Sequence, residues 1–369
     1  RSGAPRDLPE YGVVGSVRCV YAPGSRLQKQ LSRGAIVRIG FLILALVLPA
    51  LPFVTDYFLH IVILIYVYMI LALGLNIVPG FNGLLDLGYV GFYGIGAYTS
   101  GLLTYHFGLS YWVIIPLAFI NGAIWGILLG APTLRLTGDY FAIVTFGFSE
   151  LVVLFLTNEI WLTRGPLGLP GIDVVSIDLT LFGGPKWEFV GELPYYYLAM
   201  GMVLVTVFVM HRIQDSRLGR AWFAIRDDEV AAVSCGINLL AYKVIAFAIS
   251  AAFGAVGGSF FARWVTFLSP DMFKFWESFL VLCMIVLGGM GNIWGVMLGA
   301  AILVSLSEVL RELLPVLGLP VEVRFLAFGL IMVLMMRYRP AGMLPISAVA
   351  AQMRAGRTKR KRPEPASRA

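Results

Sequence analysis

Charge is what this sequence has least of. Only 13% of its 369 residues are Asp, Glu, Lys or Arg, against 59% hydrophobic, where a soluble domain carries about 25% charged residues. Its three histidines and three cysteines form no HExxH and no CxxC, so metal and redox chemistry have no legible site. No lysine follows a glycine, which excludes the GxxxxGKS/T loop that cradles ATP phosphates. No catalytic constellation supports an enzyme reading. Cys19 and Cys235 fall on the side that the charge pattern marks as reducing, and Cys283 sits in an apolar run, so no structural disulfide is expected. The first 35 residues are polar and lack an apolar core, so a cleaved signal peptide is not expected there.

What is there is apolar sequence in bilayer-length runs. They read at about 36–54, 58–78, 84–104, 111–131, 140–157, 194–211, 243–266, 278–290, 293–313 and 323–338. The expectation is an all-α polytopic membrane protein with about ten transmembrane helices. Residues 1–35 form a polar N-terminal segment, 36–345 the membrane domain, and 346–369 a basic tail.

The basic residues set the orientation. Seven Lys and Arg precede or include Arg38, one is Arg135, five run from Arg212 to Lys243, and nine lie from Arg337 onward, 22 of the 28 in all. With ten spans these share one face, so both termini and the segment 212–242 are expected to be cytoplasmic and the loop 158–193 external. The net charge of +7 follows from this asymmetry and implies no nucleic-acid partner. The tail RAGRTKRKR (354–362) reads as solvated or as touching anionic lipid.

The segment from His211 to Lys243 is a polar island between two spans. Ser216 is an N-cap residue, followed by SRLGRAWFAIR with Arg217, Arg220 and Arg226 spaced along it. Asp227 and Asp228 suit the positive end of a second helix dipole. That helix continues through Glu229, Ala231 and Ala232 and stops at Gly236. Two short helices joined at a bend make a shape that another protein can grip; the alternative is a solvated loop that only sets topology.

Residues 122–131 (GAIWGILLGA) and 291–300 (GNIWGVMLGA) match at seven of ten positions. They fall in spans four and nine, and that odd offset reverses direction in the bilayer, as inverted repeats do; the alternative is convergent glycine packing without common ancestry. Gly122, Gly126 and Gly130, and Gly291, Gly295 and Gly299, form stripes that admit a close neighbouring helix. The third span, LLDLGYVGFYGIGAYTSGLL, carries five glycines, each costing about 1 kcal/mol in a helix. It reads either as a broken helix lining a pathway with Asp86, Tyr89, Tyr93 and Tyr98, or as tight packing. Glu150 lies near mid-membrane, where an acid costs about 2.5–3.5 kcal/mol. It faces a wet pathway or pairs with Ser149 and Thr145. Glu308, beside Arg311 and Glu312, reads as part of a surface pair.

Four stretches in order carry a family resemblance: LALGLNIVPGFNGLLDLGYVGFYGIGAYT (71–99), LRLTGDYFAIVTFGFSELV (134–152), GPLGLPGI (165–172), and the segment from RLGRAWFAIRDDEVAAVSCGINLLAYK to FGAVGGSFFA (217–262). With LGGMGNIWGVMLGA (287–300) they span roughly Leu71 to Pro345. The chain resembles the permease subunits of bacterial branched-chain amino-acid ABC importers, the LivM type. That resemblance implies an ABC importer permease fold with inverted halves in the inner membrane. It implies a paralogous LivH-type permease, two ABC ATPase subunits and a soluble substrate-binding protein as partners. No cofactor is expected in this chain; ATP and magnesium belong to the ATPases. It also implies an ATPase-coupling loop at 212–242, where Glu229, Ala231, Ala232 and Gly236 stand at the docking-signature positions and Val230 interrupts a literal Glu-Ala-Ala. Branched-chain or related aliphatic amino acids are the implied cargo. Urea or short amides are the alternative, and a stand-alone secondary transporter or channel is a third reading.

Overall fold

The computed structural model describes residues 46, 48–50, 55–134, 139–178, 186–316, 318, 320, 322–339 and 342–344. The chain divides into an N-terminal unit, Arg1–Val54, and a unit from Thr55 onward that holds the helical bundle. The expected first span, the polar N-terminal segment and the basic tail lie outside the described residues, apart from a 3-10 turn at Leu48–Ala50.

The other nine expected spans each coincide with a helix. They are α1 (Asp56–Leu75), α2 (Tyr89–Phe107), α3 (Tyr111–Thr133), α4 (Asp139–Asn158), α5 (Glu192–Asp215), α8 (Leu239–Val265), α9 (Phe275–Gly288), α10 (Ile293–Val316) and α11 (Val323–Tyr338). Two short helices, α6 (Arg217–Asp227) and α7 (Glu229–Ser234), fill the polar island. Six helical stretches are long and apolar enough to cross a bilayer; α2, α9 and α11, at 19, 14 and 16 residues, are not among them. The protein is an all-α, multi-pass membrane protein.

Several helix ends moved by a few residues from their expected places, two of them for a visible local reason. Helix α1 does not stop near residue 78 but continues as a π-helical turn, Ile77–Asn82. Pro79 has no N–H to donate, and the wide turn closes at Gly83, whose φ is +76°. The third span starts at Tyr89 rather than 84, because Asp86 Oδ1 accepts the Gly88 N–H at 2.9 Å and holds the preceding chain in a turn.

Helix α8 is the hub, with sixteen of its 27 residues buried, most of them Ala, Gly, Ser or Phe. It packs on α3, α2 and α1. A Cβ at Gly96 would stand 2.0 Å from the Ala255 carbonyl oxygen, and one at Gly258 would stand 2.0 Å from that of Tyr93, so α2 and α8 meet backbone to backbone. Such contact replaces the hydrophobic driving force that a membrane interior lacks.

At the end of the bundle away from α6 and α7, loops are pinned by one arginine. Arg263, 2% exposed, donates to the carbonyls of Asp173 and Leu109, each at 2.8 Å. Strand β1 (Leu169–Pro170) pairs antiparallel with β4 (Phe267–Leu268), and β2 (Ser176–Asp178) pairs with β3 (Lys186–Glu188).

Candidate functional site: the coupling helices

Helix α6 forms because its first turn is capped: Ser216 Oγ accepts the Gly219 N–H at 3.3 Å. Its buried face is Gly219, Ala221, Trp222 and Ile225. Trp222 is fully buried, and its indole N–H donates to the Tyr242 carbonyl at 2.8 Å, fastening α6 to the start of α8. Arg217 and Arg220 are exposed, and Arg220 donates back to the Asp215 carbonyl at 2.8 Å.

Arg226 turns the other way. Its guanidinium donates to the Gly80 carbonyl in the π-turn, its stem lies against Gly83, and the neighbouring Phe81 and Phe223 rings sit 5.2 Å apart. Burial lowers the Arg226 pKa, with Asp227 opposing the shift. The π-turn is in turn tied to the start of α10, since Asn76 Oδ1 accepts the Gly291 N–H at 2.8 Å. A push on α6 therefore bears on α8, α1 and α10 at once.

Helix α7 is capped at both ends. Asp228 accepts the N–H groups of Val230 and Ala231 at 2.8 and 3.1 Å. Asp227 is not part of that cap; it is the last residue of α6. At the far end the Gly236 and Ile237 N–H groups return to the Val233 and Ala232 carbonyls at 2.9 and 3.1 Å. With Gly236 at φ +81°, this is a Schellman close. Glu229, next to the positive helix end, also meets Lys243 of α8 at 2.7 Å. Ala232 is buried, while Ala231 is exposed, as are Val230 and Val233 at 77% and 52%. A polar stretch thus ends in a small, rigid, apolar-tipped projection.

The remaining residues of interest lie elsewhere. Asp86, Tyr89, Tyr93 and Tyr98 are all buried; Tyr93 stacks edge-on against Phe273 with ring centres 5.2 Å apart. Glu150 is exposed on α4, eleven residues past its start. Its expected hydroxyl partners are engaged elsewhere: Ser149 donates to the Phe146 carbonyl and Thr145 to that of Ala142. Glu308 pairs with Arg311 at 3.7 Å, with the acid largely covered and the guanidinium in the open. Gly122 and Gly126 face Ala255 and Ala251 of α8, and Gly130 faces Phe247. Gly295 and Gly299 face Gly288 and Met284 of α9, and Gly291 forms the turn before α10 at φ +87°. Cys235 is exposed and Cys283 buried, both free.

Sequence reasoning missed the Lys243–Glu229 pair, the Arg226 anchor and the Asn76 bridge. A lysine just inside an apolar span was the available signal for the first. The other two depend on backbone carbonyls and amides that folding brings together from 146 and 215 residues away.

Residues 57–336 match the family described as the permease component of branched-chain amino acid transport systems. The chain is 41% identical over 337 residues to the high-affinity branched-chain amino acid transport permease LivM of Escherichia coli, covering 86% of this chain and 78% of that protein. It is 41% identical over 309 residues to LivM of Salmonella typhimurium, covering 79% and 71%. LivH of Salmonella typhimurium is 25% identical over 260 residues, 64% of this chain and 79% of the relative. No solved structure matches the chain. The match runs from α1 into α11, α6 and α7 included, and the chain belongs to the branched-chain amino acid transport permeases, transport subunits of ABC importers rather than enzymes.

Proposed function

We propose that this permease moves branched-chain or related aliphatic amino acids across the bacterial inner membrane. A LivH-type permease completes the membrane domain, two ABC ATPases supply ATP hydrolysis, and a soluble binding protein delivers cargo. The observation that carries the coupling role is the doubly capped α7, its apolar tip outward and its base clamped to α8 through Glu229, beside an α6 that Trp222 fastens to the same helix. Reversing a two-state preference takes about 5.5 kcal/mol of differential binding, which a loop that slips cannot deliver.

Both termini and α6–α7 are cytoplasmic in this reading, and the basic-residue asymmetry supports it. The full domain has ten spans in two inverted halves. Exchanging each span with the one five places on turns the α3–α8 contact into α10–α1, and α2–α3 into α9–α10; all four pairs are packed. Glu150 lies on a face of α4 that carries exposed Ile143, Leu151, Leu154 and Phe155. A mid-span carboxylate left to lipid is expensive, so this face meets the second permease or the pathway. Asp86, Tyr89, Tyr93 and Tyr98 would reach the pathway only in a state that opens the α2 packing.

The test is reconstitution of all five components in liposomes. ATP-driven uptake of radiolabelled leucine, inhibited by valine and not by urea, is expected. Uptake of urea instead, or uptake without the ATPases, overturns the reading.

A further inference from the structure

Away from the coupling helices, α1, α9, α10 and α11 enclose a cavity of about 110 Å³. A single water needs only about 10–15 Å³ on that scale, so the space admits a small solute. Glu308, which borders it, lies fifteen residues along α10 from the end beside Asn76, about 22 Å at 1.5 Å per residue. The cavity thus sits toward the opposite end of the bundle.

Its lining combines two kinds of chemistry. Glu277 and Arg324 both border it, yet they form no ion pair with each other. Among the described residues, Glu277 accepts only the Tyr68 hydroxyl, at 2.5 Å. The Arg324 guanidinium lies 5.0 Å over the Phe325 ring, and its Nε is buried without an acceptor among the described residues. Glu308 adds a second carboxylate, held by Tyr57 at 3.5 Å and Arg311 at 3.7 Å. Ser307 adds a hydroxyl, and Leu64, Leu280 and Phe328 are among the apolar residues of the wall. A buried guanidinium nitrogen without an acceptor and a carboxylate with one partner are costly left as they are. Charges of both signs around one space with an apolar side suit a ligand that is itself dipolar.

We infer that this cavity binds a small α-amino acid as its zwitterion. The carboxylate meets Arg324, whose planar donors match it. The ammonium meets Glu277 and Glu308, and an aliphatic side chain lies on the apolar wall. The inference rests on the reading of the chain as an amino-acid permease, but places a site within one subunit rather than between two.

The test uses the assembled importer in nanodiscs without the soluble binding protein, with equilibrium dialysis of radiolabelled L-leucine. Two competitors each lack one charge: 4-methylpentanoate and 3-methylbutylamine. Leucine should bind, and both analogues should compete at least tenfold more weakly. Arg324→Gln and the cavity-filling Val304→Phe, which alters no charge, should each weaken binding at least tenfold in complexes that elute intact. No binding by the wild type, an analogue competing equally, or unchanged affinity in either intact variant overturns the site. Binding-protein-dependent leucine uptake by the same wild-type complex separates the two claims. Uptake without this binding ends the site alone, and absent uptake ends the permease reading.

Discussion

The Lys243 ammonium lies 2.7 Å from a carboxylate oxygen of Glu229, joining the start of α8 to the start of α7. The two partners are unequally covered, with side-chain exposures of 10% and 49%. Removing one partner of a buried pair leaves the other's charge uncompensated, whereas a half-exposed carboxylate can turn to water. Glu229→Ala should therefore weaken ATPase attachment more than Lys243→Met, and the double variant should recover part of the loss. Pull-down of the ATPases and coupled hydrolysis measure this. Equal effects of the two single variants would show that the pair is not the clamp.

Gly236 closes α7 with φ +81° in open space, no heavy atom lying within 4 Å of the position of its absent Cβ. A substitution there meets no clash, only the cost of a left-handed backbone, about 1–2 kcal/mol for a residue with a side chain. Gly236→Val should loosen the last turn of α7 and lower coupled hydrolysis several-fold while membrane insertion and permease pairing persist. Gly236→Asn, better suited to this conformation, should retain most coupling. Asn behaving as badly as Val would place the defect in surface contact rather than in backbone strain.

The helix ends show where the sequence was legible. Ser216, Asp228 and Gly236 mark helix ends by their own local chemistry, and each stands in the role that its residue type implies. Apolar run length located the helices for the same reason, since bilayer thickness acts on every residue of a span. Glycine was legible as close packing but not as to which helix approaches: the stripe on α3 meets α8, and the one on α10 meets α9. The Arg226 contact with the Gly80 carbonyl was not legible, because every residue carries a carbonyl and only the fold selects one. The face of Glu150 was equally hidden, because α4 is apolar on both sides.

Arg263 is expected to hold the loop end of the bundle as a unit. Its two bonds, to the Asp173 and Leu109 carbonyls, are of the charged kind, worth about 1.5–3 kcal/mol each. Lysine offers a point charge and no fork, so Arg263→Lys should keep one contact at most. Amide exchange across residues 165–178 should rise, and capture of the soluble binding protein should weaken. ATPase attachment, at the far end, should not change. Unaltered exchange in this loop would mean that the strands hold it without the arginine.

Two glycine substitutions should move stability in opposite directions. At Gly299 a Cβ would stand 2.1 Å from the Met284 carbonyl oxygen and 2.8 Å from the Gly288 nitrogen. Both are backbone atoms of α9, so no rotamer change can make room, and α9 and α10 must separate. Overpacking of this kind costs about 1–3 kcal/mol, and here it falls where two helices rely on close approach. At Gly201 in α5 nothing lies within 4 Å, so alanine adds only its better helix propensity, about 1 kcal/mol. Thermal melting in detergent, followed by size-exclusion fluorescence, should show Gly299→Ala several degrees below wild type and Gly201→Ala at or above it. A wild-type melting point for Gly299→Ala would mean that α9 and α10 stand further apart than these distances, and the packing account of the second glycine stripe would fall with it.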